Sequence, residues 1–365
     1  MAIRIAASRL PLLLLALAAG RAHAHPPGLS SLDLALKPDH IEATATFALQ
    51  DIEAFVPMDS DLDAEVSDAE REAAKPAIAK LLAEQLRISA DGTELQSQPG
   101  QASFDGRNNA QVQMVYPAAA QRQLRLQSGF LGLLSDGHQQ YLTVRDAAGK
   151  TLAEKMLGRN DDQLDLTLAA AADTAAPQAA FAAFGDFFKL GIEHILTGYD
   201  HLLFLFALLA VTHSLWPALK IITFFTIAHS ITLACAGLRL VELPGSFVEP
   251  FIAATIIYVG LENIIRGAHP KGRHWLTFGF GLIHGFGFAG VLQEMNISAA
   301  DSGILVPLLA FNLGIETGQI AVAALVLPLI WWLNSQVATA GRFLKGGSVA
   351  VSLMGAFWLV ERTML

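Results

Sequence analysis

The sequence predicts an α-helical polytopic membrane bundle of about six transmembrane helices, preceded by a small, mainly β extracytoplasmic domain. Three observations carry this. Apolar residues make up 53% of the 365 and charged residues only 16%, more apolar than an ordinary soluble domain. The excess lies in residues 186–365, where one apolar run follows another, whereas residues 25–180 have a soluble composition. The first 24 residues have the plan of an export signal.

That signal consists of Arg4 and Arg9, an apolar core from Leu10 to Ala19, and Ala22-His23-Ala24 as the cleavage site. The core is too short to cross a bilayer. Cleavage after Ala24 starts the mature chain at His25 and places the next domain outside the inner membrane.

Residues 25–168 form the expected outer domain. Polar and apolar residues alternate in Ser31–Leu36, Ile41–Leu49, Gln111–Tyr116, Gln123–Gln127, Gln140–Arg145 and Gln163–Leu168, the period of half-buried strands. Asp91-Gly92 and Asp105-Gly106 read as turns. Ser67 to Glu70 is a capping box ahead of Ile78, Leu81, Leu82 and Leu86, which predicts one helix. The expectation is an antiparallel sandwich with a helical insertion. Most of the formal charge of −9 lies in this half, with an acidic run at 59–70 that reads as a solvated surface; the acidity argues against nucleic acid as a partner. The Ala-rich stretch in 169–185 reads as a linker.

Spans are predicted near 188–211, 218–238, 248–266, 275–294, 303–333 and 344–361, the fifth containing Pro307 and Pro328. An outer first domain makes loops one, three and five cytoplasmic. Those loops carry Lys220, Arg266, Lys271, Arg273, Arg342 and Lys345, against Arg239 and Arg362 outside, as the positive-inside rule requires.

Ionisable groups inside the apolar runs are the informative residues, because each costs roughly 2.5–3.5 kcal/mol to insert. The first span holds Glu193, His194, Asp200 and His201; the histidines, seven residues apart, share one face of a helix. The second holds His229, the third Glu262 and Asn263, the fourth His284 among Gly279, Gly281, Gly285, Gly287 and Gly290, and the fifth Asn312, Glu316 and Gln319. The lone cysteine, Cys235, allows neither an intrachain disulfide nor a thiolate metal site. Imidazole and carboxylate without thiolate suit a borderline-to-hard divalent ion, Ni²⁺, Co²⁺, Zn²⁺ or Mn²⁺, better than Cu⁺. The candidate ligands are His194, Asp200, His201, His229, His284 and Glu316, with Glu193, Glu262, Asn263 and Asn312 as secondary candidates.

Five stretches resemble the HupE/UreJ family of bacterial membrane proteins: His194–Phe204, Phe225–Leu233, Tyr258–Asn263, Phe280–Ala289 and Phe311–Gln319. The resemblance covers about residues 185–365 and is closest to a longer branch with an outer domain. It implies passage of nickel or a similar ion, with His194, Asp200, His201 and His284 in the path. The fourth-span motif here, Ile-His-Gly-Phe-Gly-Phe-Ala, lacks the second histidine and nearby glutamate of the shorter permeases, and the next acid is Glu294.

The leading expectation is therefore an inner-membrane permease for a divalent metal, nickel or cobalt, with no tightly bound cofactor and no enzymatic activity. Its partners would be the bilayer, the ion, and a periplasmic protein bound by residues 25–168. No Walker motif points to ATP hydrolysis. Two other classes stay open: an intramembrane metal-dependent hydrolase, and an accessory or sensory subunit for metalloenzyme maturation.

Overall fold

The computed structural model describes residues 28–63, 66–105, 109–119, 122–238, 240–241, 243–267, 272–288, 305–335 and 340–364. The export signal, the turn glycine Gly106, and residues 289–304, which include the end of the predicted fourth span and Glu294, lie outside them. The chain divides into two compact units, the first ending at Asp186 and the second beginning at Phe187.

The first unit is a β-sandwich. In chain order it contains β1 (Leu29–Leu36), β2 (Ile41–Ala48), α1 (Leu49–Glu53), α2 (Asp68–Gln85), β3 (Leu86–Ala90), β4 (Thr93–Leu95), β5 (Gln101–Phe104), β6 (Asn109–Tyr116), β7 (Gln123–Ser128), β8 (Gln139–Arg145), β9 (Thr151–Gly158) and β10 (Gln163–Thr167). One sheet has the order β5-β6-β2-β1-β8-β9 and the other β10-β7-β3-β4. The inward residues of both, including Leu32, Ala43, Phe47, Ile88, Leu124 and Leu126, share one core with Ile78 and Leu82 of α2. The alternation of period two is thus the alternation of core and solvent faces.

Two details differ from the antiparallel expectation. β1 pairs with β8 in parallel, because β8 follows a long excursion through the second sheet and re-enters alongside β1 in the same direction. Leu86 does not continue α2: at φ −90° and ψ 105° it leaves the helix and starts β3, buried in the core. The capping box forms with both of its hydrogen bonds. Asp91 and Gly92 take φ of 50° and 85°, which a tight hairpin between β3 and β4 requires.

The second unit is helical. It receives the end of α3 (Leu168–Thr197) and contains α4 (Tyr199–Leu209), α5 (Leu215–Gly237), α6 (Gly245–Arg266), α7 (Arg273–Gly287), α8 (Leu305–Ser335) and α9 (Ala340–Met364). The stretch expected to be a linker, 169–185, is helical, as its alanine content favours. Segments within α5, α6, α8 and α9 are long and apolar enough to cross a membrane. α3 and α4 make a fifth crossing if counted together; they meet at 72° across Gly198 rather than forming one straight span. The predicted fourth span is represented by α7, whose fifteen residues cover about 22 Å, short of a full ~30 Å crossing. The described residues therefore give four to five spans, not six. Pro307 sits in the first turn of α8, where no helical donor is needed, and Pro328 lies inside a helix that continues past it. Large apolar side chains face outward, among them Ile265 at 80% and Leu325 at 79% exposure, as lipid contact requires and water would penalise.

Glycines set the helix neighbours. A Cβ on Gly191 of α3 would fall 2.1 Å from the Phe311 carbonyl oxygen of α8, and one on Gly314 would fall 2.1 Å from that of Phe188. A Cβ on Gly285 of α7 would fall 2.3 Å from Thr232 Oγ1 and 2.8 Å from the His229 carbonyl of α5. Only bare backbone permits these approaches, and both interfaces carry histidines.

Candidate metal centre

Gly198 is the first element of the site. It is extended, at φ −75° and ψ 94°, and a Cβ there would meet the His194 carbonyl and the His201 ring. In a straight helix, seven residues would separate His194 and His201 by about 10 Å along the axis. The 72° bend at this break turns the second helix across the first, and the two ring centroids lie 4.7 Å apart.

His229 on α5 completes the group. His194, His201 and His229 each present a ring nitrogen, and these nitrogens lie within 4.8 Å of one another. The Nε2 atom of each is buried with no hydrogen-bond partner among the described residues. On two of the three, the opposite nitrogen is held. His201 Nδ1 donates to Asp200 Oδ1 at 2.9 Å. His229 Nδ1 donates to Asn312 Oδ1 at 3.2 Å, and Asn312 is oriented by its own Nδ2 donating to the Leu308 carbonyl at 2.7 Å. In the neutral rings, with the Nδ1 protons so used, the Nε2 atoms of His201 and His229 carry lone pairs. A ring whose remote nitrogen donates to a carboxylate or amide oxygen is the usual state of a metal-bound histidine. A tetrahedral ion at 2.0–2.1 Å would draw the nitrogens to roughly 3.3 Å from each other, within reach of side-chain rotation.

The surroundings are apolar. Phe288 and Phe311 lie with centroids 4.8 and 5.5 Å from the His194 ring, and Phe225 lies 5.9 Å from that of His229. Buried lone pairs converging in such a setting are unfavourable until a cation arrives.

His284 stands beside this group. Its ring centroid is 5.3 Å from that of His201. Thr255 Oγ1 donates its only proton to the Ile252 carbonyl at 2.7 Å, so the 2.9 Å contact with His284 Nε2 has the imidazole donating. That leaves a lone pair on His284 Nδ1, which is buried and without a partner among the described residues. His284 is a neighbour of the cluster, not a fourth member of it.

The remaining candidates fall in two places. On α8, Glu316 Oε1 accepts from Thr223 at 2.8 Å, and the Gln319 side-chain amide lies 3.3 Å from the Thr226 hydroxyl, which continues the α5–α8 polar contact past Asn312 and His229. Glu316 thus adjoins the centre without entering it. Glu262 and Asn263 belong to a different structure at the far end of α6. Glu262 pairs with Arg266 at 3.0 Å and lies 3.8 Å from Arg273, while Asn263 bonds Arg273 and the Ala207 carbonyl, both at 2.8 Å. Those contacts tie together the ends of α4, α6 and α7. Glu193, next to His194, lies 3.4 Å from Lys189 one turn earlier on α3. Cys235 is a free, half-buried thiol.

Sequence reasoning missed Thr255, Phe288, Phe311 and Arg362. The first three have no ionisable group to mark them within an apolar run. Arg362 carried a signal, as a charge at the end of a span, but entered only the orientation count. Its Nη2 lies 3.5 Å from Asp200 Oδ2.

Among the described residues, a second set of carboxylates, Asp59, Asp61 and Asp63, also gathers closely, on the exposed surface of the outer domain. No curated protein matches the chain. A family model described as HupE / UreJ protein matches residues 170–362, the stretch that holds every histidine of the centre. The helices, their intramembrane histidines and this match agree: the chain belongs to the HupE / UreJ family of membrane proteins.

Proposed function

We propose that the membrane unit passes a divalent transition metal ion, nickel or cobalt, across the inner membrane, with the outer domain in the periplasm. The observation that supports this reading is the gathering of a ring nitrogen from each of His194, His201 and His229 within 4.8 Å of one another, in rings whose Nε2 atoms are buried and without a partner among the described residues. Neutral imidazoles suit a transported ion: they bind a borderline cation without the charge that would hold it permanently. His284 on one side and Glu316 on another offer next positions for an ion leaving the cluster. Residues 25–168 are the candidate surface for a periplasmic partner.

A second reading is supported by the number of ligands. Three histidines leave a coordination position open, as in sites where a resident ion activates water. The two readings separate in one experiment, uptake of radioactive Ni²⁺ and Co²⁺ into proteoliposomes by the wild type, His201→Ala and His284→Ala. Flux lost in both variants supports passage. A folded protein that binds the ion, exchanges it slowly and shows no flux would replace the permease with the hydrolase reading. Absence of both binding and flux would leave an accessory subunit.

A further inference from the structure

The histidine centre lies between two arginine–carboxylate clusters at opposite ends of α6. Thr255, which holds His284, is near the middle of that helix. Glu249 lies six residues before it and Glu262 seven after, each on the order of 10 Å away along the axis. The two clusters are built differently. At the Glu262 end, Arg273 is 5% exposed and donates at 2.8 Å to Asn263 and at 3.1 Å to the Ala207 carbonyl. Arg273 also lies 3.8 Å from Glu262. At the Glu249 end, Arg362 makes one hydrogen bond, 3.2 Å to the Glu249 carbonyl, and lies 3.5 Å from Asp200 Oδ2, 4.0 Å from Glu249 Oε2 and 5.7 Å from the Trp358 ring. The first is a fixed joint. The second is one guanidinium shared loosely between two carboxylates.

Asp200 is the carboxylate that orients His201, and Arg362 stands on its other oxygen. Given that the cluster is a divalent-ion site, on which this inference rests, we propose that Arg362 is a resident cation that sets how tightly the centre holds its ion, a positioning residue acting through Asp200. While the guanidinium faces Asp200, it offsets that charge and repels a dication on His201. When it swings to Glu249, whose side chain is 57% exposed, Asp200 regains its full charge and the ion is held. Return of Arg362 loosens the ion again. The second carboxylate gives the guanidinium a counter-charge in both positions, without which the excursion would leave a largely buried charge, 12% exposed, unpaired.

The test uses full-length protein and Co²⁺ as the probe, with binding read from its visible absorption and transport from proteoliposome uptake. Arg362→Gln is expected to tighten Co²⁺ binding about tenfold and to lower the maximal uptake rate by a similar factor, because release becomes slow. Arg362→Lys keeps both within about threefold of wild type. Loss of the cobalt absorption in His201→Ala assigns the signal to this centre. A merely structural arginine would weaken binding or lower protein yield; it would not tighten binding while slowing turnover. If the wild type binds Co²⁺ and Arg362→Gln binds it equally or more weakly, the proposal is overturned. If the wild type binds no Co²⁺, it is the metal reading itself that fails. Should Arg362→Gln not fold, Glu249→Gln decides: confining the guanidinium to Asp200 is expected to weaken binding several-fold, and unchanged binding overturns the proposal.

Discussion

Asp200 Oδ1 accepts two hydrogen bonds from the residue that follows it, the His201 backbone N–H at 2.8 Å and the His201 ring Nδ1–H at 2.9 Å. One carboxylate oxygen thus secures both the first turn of α4 and the tautomer of the ring. Asp200→Asn keeps an oxygen in place and removes the charge, so Co²⁺ affinity is expected to fall about tenfold; Asp200→Ala removes both and is expected to cost nearer a hundredfold. A cobalt titration that gave Asp200→Ala the wild-type affinity would detach the aspartate from the centre.

Gly285 and Gly279 are two residues of one glycine-rich helix with opposite expectations. A methyl group on Gly285 meets Thr232 and the His229 carbonyl, whereas one on Gly279 meets nothing within 4 Å. Gly285→Ala is expected to destabilise the bundle by about 1–3 kcal/mol and to displace His229. Gly279→Ala is expected to be silent. Thermal unfolding in detergent, alongside cobalt binding, checks both.

Glu262 was a candidate ligand and is instead part of a structural joint. Glu262→Gln is expected to leave Co²⁺ affinity within about threefold of wild type. Arg273→Met strips a buried carboxylate, 5% exposed, of its closest buried cation and is expected to cost on the order of 3–5 kcal/mol of stability. A large loss of cobalt affinity in a folded Glu262→Gln protein would return this residue to the metal path.

His138 makes the outer domain sensitive to acid. It is buried beside Ser30, whose Oγ lies 2.9 Å from Nε2, and Asp51 Oδ2 lies 3.7 Å from Nδ1. Burial outweighs that carboxylate and pushes the histidine from its ordinary 6.5 down to about 4. The unfolded chain then binds the proton at a higher pH than the folded one. Stability is complete above about pH 6.5 and falls as the pH drops toward 4, by about 3 kcal/mol in all. Hydrogen exchange of the β1 and β8 peptides in the full-length protein is expected to accelerate across that window, and His138→Gln to flatten the response. A pH-independent protection pattern in the wild type would contradict the assignment.

Several strands were missed because the period that reveals a half-buried strand is lost or too short to stand out. β9 is half-buried along most of its length, β4 is an edge strand of three residues, and β5 alternates but over only four residues at a sheet edge. β3 was hidden by Leu86, which continues the apolar spacing of the preceding helix and yet begins a strand. The polar inventory of the membrane unit was legible because an ionisable side chain in an apolar run stands out wherever it lies in the fold. Its grouping was not. His284 and Glu316 have the same sequence signature as His229, but only His229 shares a point with His194 and His201.

By itself the sequence determined a mainly β domain followed by an apolar helical bundle, the residues that could bind a metal, and the family to which the chain belongs. These follow from local quantities: the period of apolar residues, the length of apolar runs, and the chemistry of the side chains within them. The tertiary structure alone decided which of those residues meet. The break at Gly198 brings His194 onto His201, and close contact at Gly285 sets α7 against the segment of α5 that carries His229. The loosely held Arg362 reaches Asp200 from α9. Each of these depends on a backbone bend or on how closely two distant helices approach, and hydrophobic periodicity along one chain specifies neither.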